Sequence, residues 1–112
     1  NEKVKPFIKE FNYYLDVLKN FSDWIIQRLE NNKDDVSAAA NDYLKTLGYI
    51  SLAFSWIKVL NISFKDYEEN KKFYDDKINT AKFYFDKVLP RAEHHYKSAI
   101  SGSSNIMNFN FS

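Results

Sequence analysis

Cysteine is absent from this chain of 112 residues, which excludes disulfides, thiolate metal sites and cysteine nucleophiles together. Glycine and proline are scarce, at two residues each, so the backbone has few places to turn and no glycine-rich loop to cradle a phosphate. An excess of one charge sign is missing too. Sixteen Lys and Arg stand against 15 Asp and Glu, interleaved along the chain, and the net charge of +1 supplies no long-range field to attract nucleic acid or an anionic membrane. Long apolar runs are lacking: the longest, Tyr49 to Leu60, contains Ser51, Ser55 and Lys58 and falls short of the ~20 residues of a bilayer span, so no transmembrane segment is expected. No secretory leader is visible, and the chain begins with Asn1 rather than Met. It is therefore read as a segment of a longer protein, expected in the cytoplasm.

Aromatic residues are abundant instead, with ten Phe, eight Tyr and two Trp. A domain of this size buries roughly two-thirds of the surface its unfolded chain exposes, so some of these rings are expected to face a partner.

The apolar residues follow a helical period throughout. Val4, Phe7, Phe11, Tyr14, Leu15, Leu18, Phe21, Ile25 and Leu29 form one stripe, with Pro6 near its start where a missing amide donor does no harm. This predicts a helix over about residues 4–30, followed by a loop at Glu30–Asp35 in which Asp34 or Asp35 caps the next helix. Ala39, Ala40, Tyr43, Leu47, Ile50, Phe54 and Ile57 mark a second helix over about 36–60, widened by Leu44, Leu52 and Trp56 and expected to be the most buried. Gly48 in its middle costs about 1 kcal/mol relative to Ala, which is reasonable where another helix must approach closely. Asn61-Ile-Ser63 reads as a link, with Ser63 in capping position. A third segment carries Tyr67, Tyr74, Ile78, Ala81, Phe85, Val88, Leu89, Ala92, Tyr96 and Ile100 through Pro90 to a stop at Gly102. The expected fold is all-α: an antiparallel bundle of three long helices, the third kinked at Pro90 and countable as two, over residues 1–102, with 103–112 a tail.

Candidate chemistry is sparse. His94 and His95 are the only histidines, and adjacent helical residues diverge by about 100°, so both cannot ligate one metal; a di-iron bundle would need Glu-x-x-His pairs that are not present. They read as surface or rim residues. Asp34-Asp35 and Asp75-Asp76 diverge likewise and have no partner arranged for acid–base work. Glu68 and Lys72 have the spacing of a surface ion pair. Trp24 and Trp56 lie among aliphatic residues and read as packing rather than as a stacking platform. No catalytic, cofactor-binding or metal-binding residue is expected.

Two strings carry a resemblance. The first is Ala81-x-Phe83-Tyr84-x(4)-Leu89-Pro90, followed by an alanine-containing helix and Gly102. The second is Ala38-Ala39-Ala40-Asn41-Asp42-Tyr43-Leu44-x(3)-Gly48-Tyr49-x(3)-Ala53-x(2)-Trp56. In this order they resemble the C-terminal helical extension of a branch of the acyl-CoA dehydrogenases that includes broad-specificity and methylthiopropanoyl-CoA dehydrogenases. The resemblance is clearest over residues 38–60 and 80–107. It implies a parent enzyme that removes hydrogens from the α and β carbons of an acyl-CoA, with a glutamate base and FAD as hydride acceptor, both held by preceding domains. No catalytic or flavin-binding residue is carried over. The extension is expected to pack on the remaining domains and to support a homo-oligomer, with Tyr49, Phe83, Tyr84 and Phe109 as interface residues because they lie off or at the edge of the main stripes. The alternative is a free-standing helical interaction module; a metal-dependent bundle enzyme lacks ligands.

Overall fold

The computed structural model describes the backbone of residues 1–111 and the side chains of residues 1–101. After a 3-10 turn at Glu2–Val4, the chain forms α1 (Lys5–Asn31), α2 (Lys33–Lys65), α3 (Lys71–Phe83), a π turn (Tyr84–Val88) and α4 (Arg91–Phe111). There is no strand among the described residues. Cross-helix pairs fix the directions. Phe11 meets Phe54 and Phe21 meets Tyr43, so α1 and α2 are antiparallel; Phe7 meets Phe85 and Phe21 meets Tyr96, so the third segment runs parallel to α1. The expected up-down-up bundle is the observed fold.

The connections are shorter than expected. Only Asn32 breaks the helix between α1 and α2; its side chain accepts from the Asp35 amide at 3.3 Å. The cap is thus one turn earlier than Asp34 or Asp35, which instead lie in the first turn of α2, where the positive end of the helix dipole favours carboxylates. The expected link at Asn61–Ser63 is helical. Ser63 is fully buried and, instead of capping, donates to the Val59 carbonyl at 2.7 Å, a local bond that keeps a hydroxyl satisfied inside a helix interior. The true turn is the 3-10 segment Tyr67–Glu69, after which Asn70 caps α3 through the Phe73 amide. Glu68 pairs with Lys71 at 3.3 Å rather than with Lys72, because that turn precedes α3 and the four-residue helical spacing does not apply across it.

The third segment loses its α-helical ladder before the proline, at Tyr84. Pro90 has no amide hydrogen and its ring crowds the carbonyl four residues back, that of Asp86. The preceding turn is widened: the Leu89 amide bonds to the Tyr84 carbonyl, five residues back, at 2.8 Å. Regular bonding resumes at the His94 amide, which reaches the Pro90 carbonyl at 3.3 Å. Gly102 does not stop α4, whose backbone continues to Phe111; glycine weakens a helix interior by about 1 kcal/mol without forbidding it.

The core lies where α2 packs against α1, α3 and α4. Ala53, Ala81 and Ala92 are fully buried and let the backbones come close, while Leu60, Leu89 and Phe21 fill the spaces between. Phe21 touches the rings of Trp24, Tyr43 and Tyr96, so it joins α1, α2 and α4. Phe21→Ala is expected to lower the unfolding free energy by roughly 3–5 kcal/mol. Leu44→Ala, on an exposed side of α2, is expected to change it by less than about 0.5 kcal/mol. Urea unfolding of the two variants checks both values.

Candidate functional site

Polar chemistry on this molecule concentrates in one seam between α2 and the third segment. Thr46 is fully buried; its hydroxyl lies 2.9 Å from the Asp42 carbonyl and 3.2 Å from the Ala92 carbonyl, so one proton is shared across the helix contact. One turn earlier in α2, Asp42 Oδ1 is 2.8 Å from His95 Nδ1, both side chains being largely buried. One turn later, the Tyr49 ring stacks on the His95 ring with centroids 5.9 Å apart. The Tyr84 hydroxyl donates to the Tyr49 carbonyl at 2.6 Å. Asp42, Thr46 and Tyr49 recur at steps of four and three, so α2 presents all three along one line toward the third segment. Burial pushes the Tyr84 phenol up to about 12, with a smaller contribution from Tyr49. On the α1 side, Tyr13 donates to Glu93, and that bond raises the Tyr13 phenol.

The Thr46 and Tyr84 hydroxyls are committed to carbonyls within the chain and are not free to act as nucleophiles. Among the described residues, no three of the His, Asp and Glu side chains are placed to hold a metal ion. What the seam does is lock register: slippage of the third segment along α2 would part His95 from Asp42 and the Tyr84 hydroxyl from the Tyr49 carbonyl, and a buried polar group left without its partner costs about 1–3 kcal/mol.

The opposite side of α2 is uncovered. Leu44, Leu47 and Leu52 are exposed, and Leu44 retains 64% of its accessible surface. Leu44, Leu47, Gly48, Ser51 and Ser55 recur at steps of three and four, and no charged residue occurs between Lys45 and Lys58. A Cβ at Gly48 would meet nothing within 4 Å. Among the described residues no other helix approaches Gly48, contrary to expectation, and the glycine lies on a bare, charge-free strip. The strip continues into an apolar groove of about 400 Å³ between α1 and α2, lined by Ile25, Ile26, Val36, Ala40 and Leu44. By length and composition, the 33-residue α2 is also apolar enough to cross a membrane. The core helix of a folded domain passes the same test of length and composition, so a single such helix does not establish a membrane span against the expectation of none.

The family model described as acetyl-CoA dehydrogenase C-terminal like matches residues 1–110. The chain belongs to that family. Neither a curated protein nor a solved structure matches it. The match extends the resemblance seen over 38–60 and 80–107 to α1, whose sequence carries only a helical pattern.

The interface residues expected for this acetyl-CoA dehydrogenase C-terminal-like domain are dispersed. Phe83 is 61% exposed on the last turn of α3. Tyr49 is half-buried against His95, and Tyr84 is buried with its hydroxyl bonded inside the chain. The Phe109 side chain lies outside the described residues. His94 is exposed, as expected, but His95 belongs to the seam. The residues that sequence reasoning missed are Asp42 and Thr46. Their only signal was a polar residue four positions from another within an otherwise apolar helix.

Tyr84 sets a pH dependence. Its phenol ionises near 10 in the unfolded chain and at about 12 in the folded one, so its share of stability is complete below pH 10 and is lost as pH rises from about 10 to about 12. Tyr84→Phe is expected to cost about 1 kcal/mol at pH 7 through the lost hydrogen bond and to make the alkaline decline shallower. Urea unfolding at pH 7, 10 and 11.5 reads both effects.

Proposed function

We propose that this chain is the noncatalytic C-terminal structural domain of a FAD-dependent acyl-CoA dehydrogenase, and that it docks on the remaining domains through the outer strip of α2 and supports the parent's homo-oligomer. The observation that carries this reading is the strip itself. A 33-residue helix is apolar on nearly all sides but has neighbours in the chain on one side only. Leu44, Leu47 and Leu52 keep 39–64% of their surface in water, which forgoes roughly half of the 1.5–3 kcal/mol that burying each completely would supply. Small residues at Gly48, Ser51 and Ser55 allow a partner helix to come close, and the absence of charge between Lys45 and Lys58 removes the desolvation cost of a contact there. Phe83, exposed on the last turn of α3, offers a further apolar contact in this reading, whereas Tyr49 faces the seam.

Flavin and acyl-CoA chemistry belong to the parent's other domains. Both glycines of this chain are helical, so the residues present form no glycine-rich turn of the kind that brings backbone amides to a diphosphate. In the parent, FAD would accept the hydride; this chain would contribute packing, not reacting groups.

Gly48 separates folding from docking. Gly48→Ala is expected to stabilise the isolated chain by roughly 0.5–1 kcal/mol, since the new methyl meets open space and the helix loses a flexible residue. Leu44→Asp with Gly48→Leu in the complete enzyme should leave this domain folded and impair its assembly, measured as lost dimer or higher oligomer by light scattering and as a lower Tm. An enzyme with unchanged assembly and Tm would sink the structural role and favour the free-standing interaction module.

A further inference from the structure

At the end of the bundle remote from the His95 seam, the N-terminal turn, the end of α2 and one side of α3 enclose a cleft of about 560 Å³. That volume lies within the range of small-molecule sites. Its floor is apolar and largely aromatic: Ile78 is buried, and Phe7, Phe64 and Tyr67 are half-buried against the core. Its rim carries three lysines from three separate segments, Lys3, Lys65 and Lys82. Among the described residues none of the three has a carboxylate within 4 Å. The Lys3 ammonium lies 5.9 Å from the centre of the Phe64 ring, close enough for that ring to hold it over the opening.

Two carboxylates also line the cleft, and both have partners. Glu68 pairs with Lys71 at 3.3 Å, and Asp75 accepts from the Tyr67 hydroxyl at 2.8 Å. The Tyr67 hydroxyl is neutral and leaves the Asp75 charge in place, so three lysines without a paired carboxylate stand against one carboxylate without a paired cation, and the rim is net positive above a floor of ring faces. Such a floor takes a flat apolar body, and such a rim takes an anionic group attached to it.

We propose that this cleft is a binding site for a small ring-bearing anion, its ring against Phe7, Phe64 and Tyr67 and its acidic group facing Lys3, Lys65 and Lys82. The site uses no residue of the α2 strip, so it stands or falls independently of the docking role.

The probe is 8-anilinonaphthalene-1-sulfonate, with N-phenyl-1-naphthylamine as its uncharged counterpart. Calorimetric titration of the chain should give one site per molecule for the sulfonate and at least tenfold weaker binding of the uncharged compound. Lys65→Gln with Lys82→Gln, both exposed positions, should weaken the sulfonate at least tenfold while the helical circular dichroism stays unchanged. Leu44→Ser with Leu52→Ser should leave its affinity within twofold. Amide shifts in NMR spectra should centre on Phe7, Phe64 and Ile78. Equal affinity for the two compounds, indifference to the lysine substitutions, or shifts centred on Ile26 and Leu44 would each overturn the proposal, since they would show ordinary adsorption to exposed apolar surface.

Discussion

Burial of one side of α2 against all three other helices is the interaction on which the structure depends. Isolated amphipathic helices are marginal in water whatever their propensity, so α1, α3 and α4 persist because α2 gives each an apolar surface to cover. Fully buried Ala53, Ala81 and Ala92 bring backbones near one another, and Phe21, Leu60 and Leu89 occupy the remaining space. Three neighbours placed on one side cannot cover an apolar helix all round. The uncovered strip through Leu44, Gly48 and Ser51 is thus a geometric consequence of the same packing that stabilises the core.

The seam and the π turn solve a related problem, that of seating a proline-containing segment against α2 in one register only. Pro90 removes a donor and crowds the Asp86 carbonyl, and the widened turn absorbs the disturbance before it reaches α4. That turn also allows the adjacent Tyr84 and Phe85 both to be buried, the first bonded to the Tyr49 carbonyl and the second edge-on to Phe7. Polar groups then define position where apolar contacts alone would tolerate sliding. Asp42 meets His95 and Thr46 meets Ala92, one turn apart on each partner.

Membership in the acetyl-CoA dehydrogenase C-terminal-like family is consistent with a domain whose polar groups are spent on register and whose exposed surface is apolar on one strip. The lysine-rimmed cleft lies apart from that strip, built from Lys3, Phe64 and the α3 pair Ile78 and Lys82, three widely separated parts of the chain. No local pattern links them, so the cleft had no sequence signature.

Helix existence, order and direction were legible because apolar residues at steps of three and four dictate them wherever glycine and proline are scarce. The family resemblance was legible because small residues and aromatics around Gly48 and Leu89-Pro90 keep a distinctive spacing. Periodicity also misplaced the boundaries: Asn61–Ser63 looked like a link, yet Ser63 could stay helical by bonding the Val59 carbonyl. Which side of α2 would be buried was beyond the sequence, since Leu44 and Leu52 are as apolar as Ile50 and Leu60, and only the placement of α1, α3 and α4 distinguishes them. The sequence by itself determined three apolar-faced helical segments and their order. The tertiary structure alone decided which faces meet, that His95 pairs with Asp42, and that Gly48 looks outward, because those outcomes depend on the mutual rotation of helices, which no single helix's residue spacing encodes.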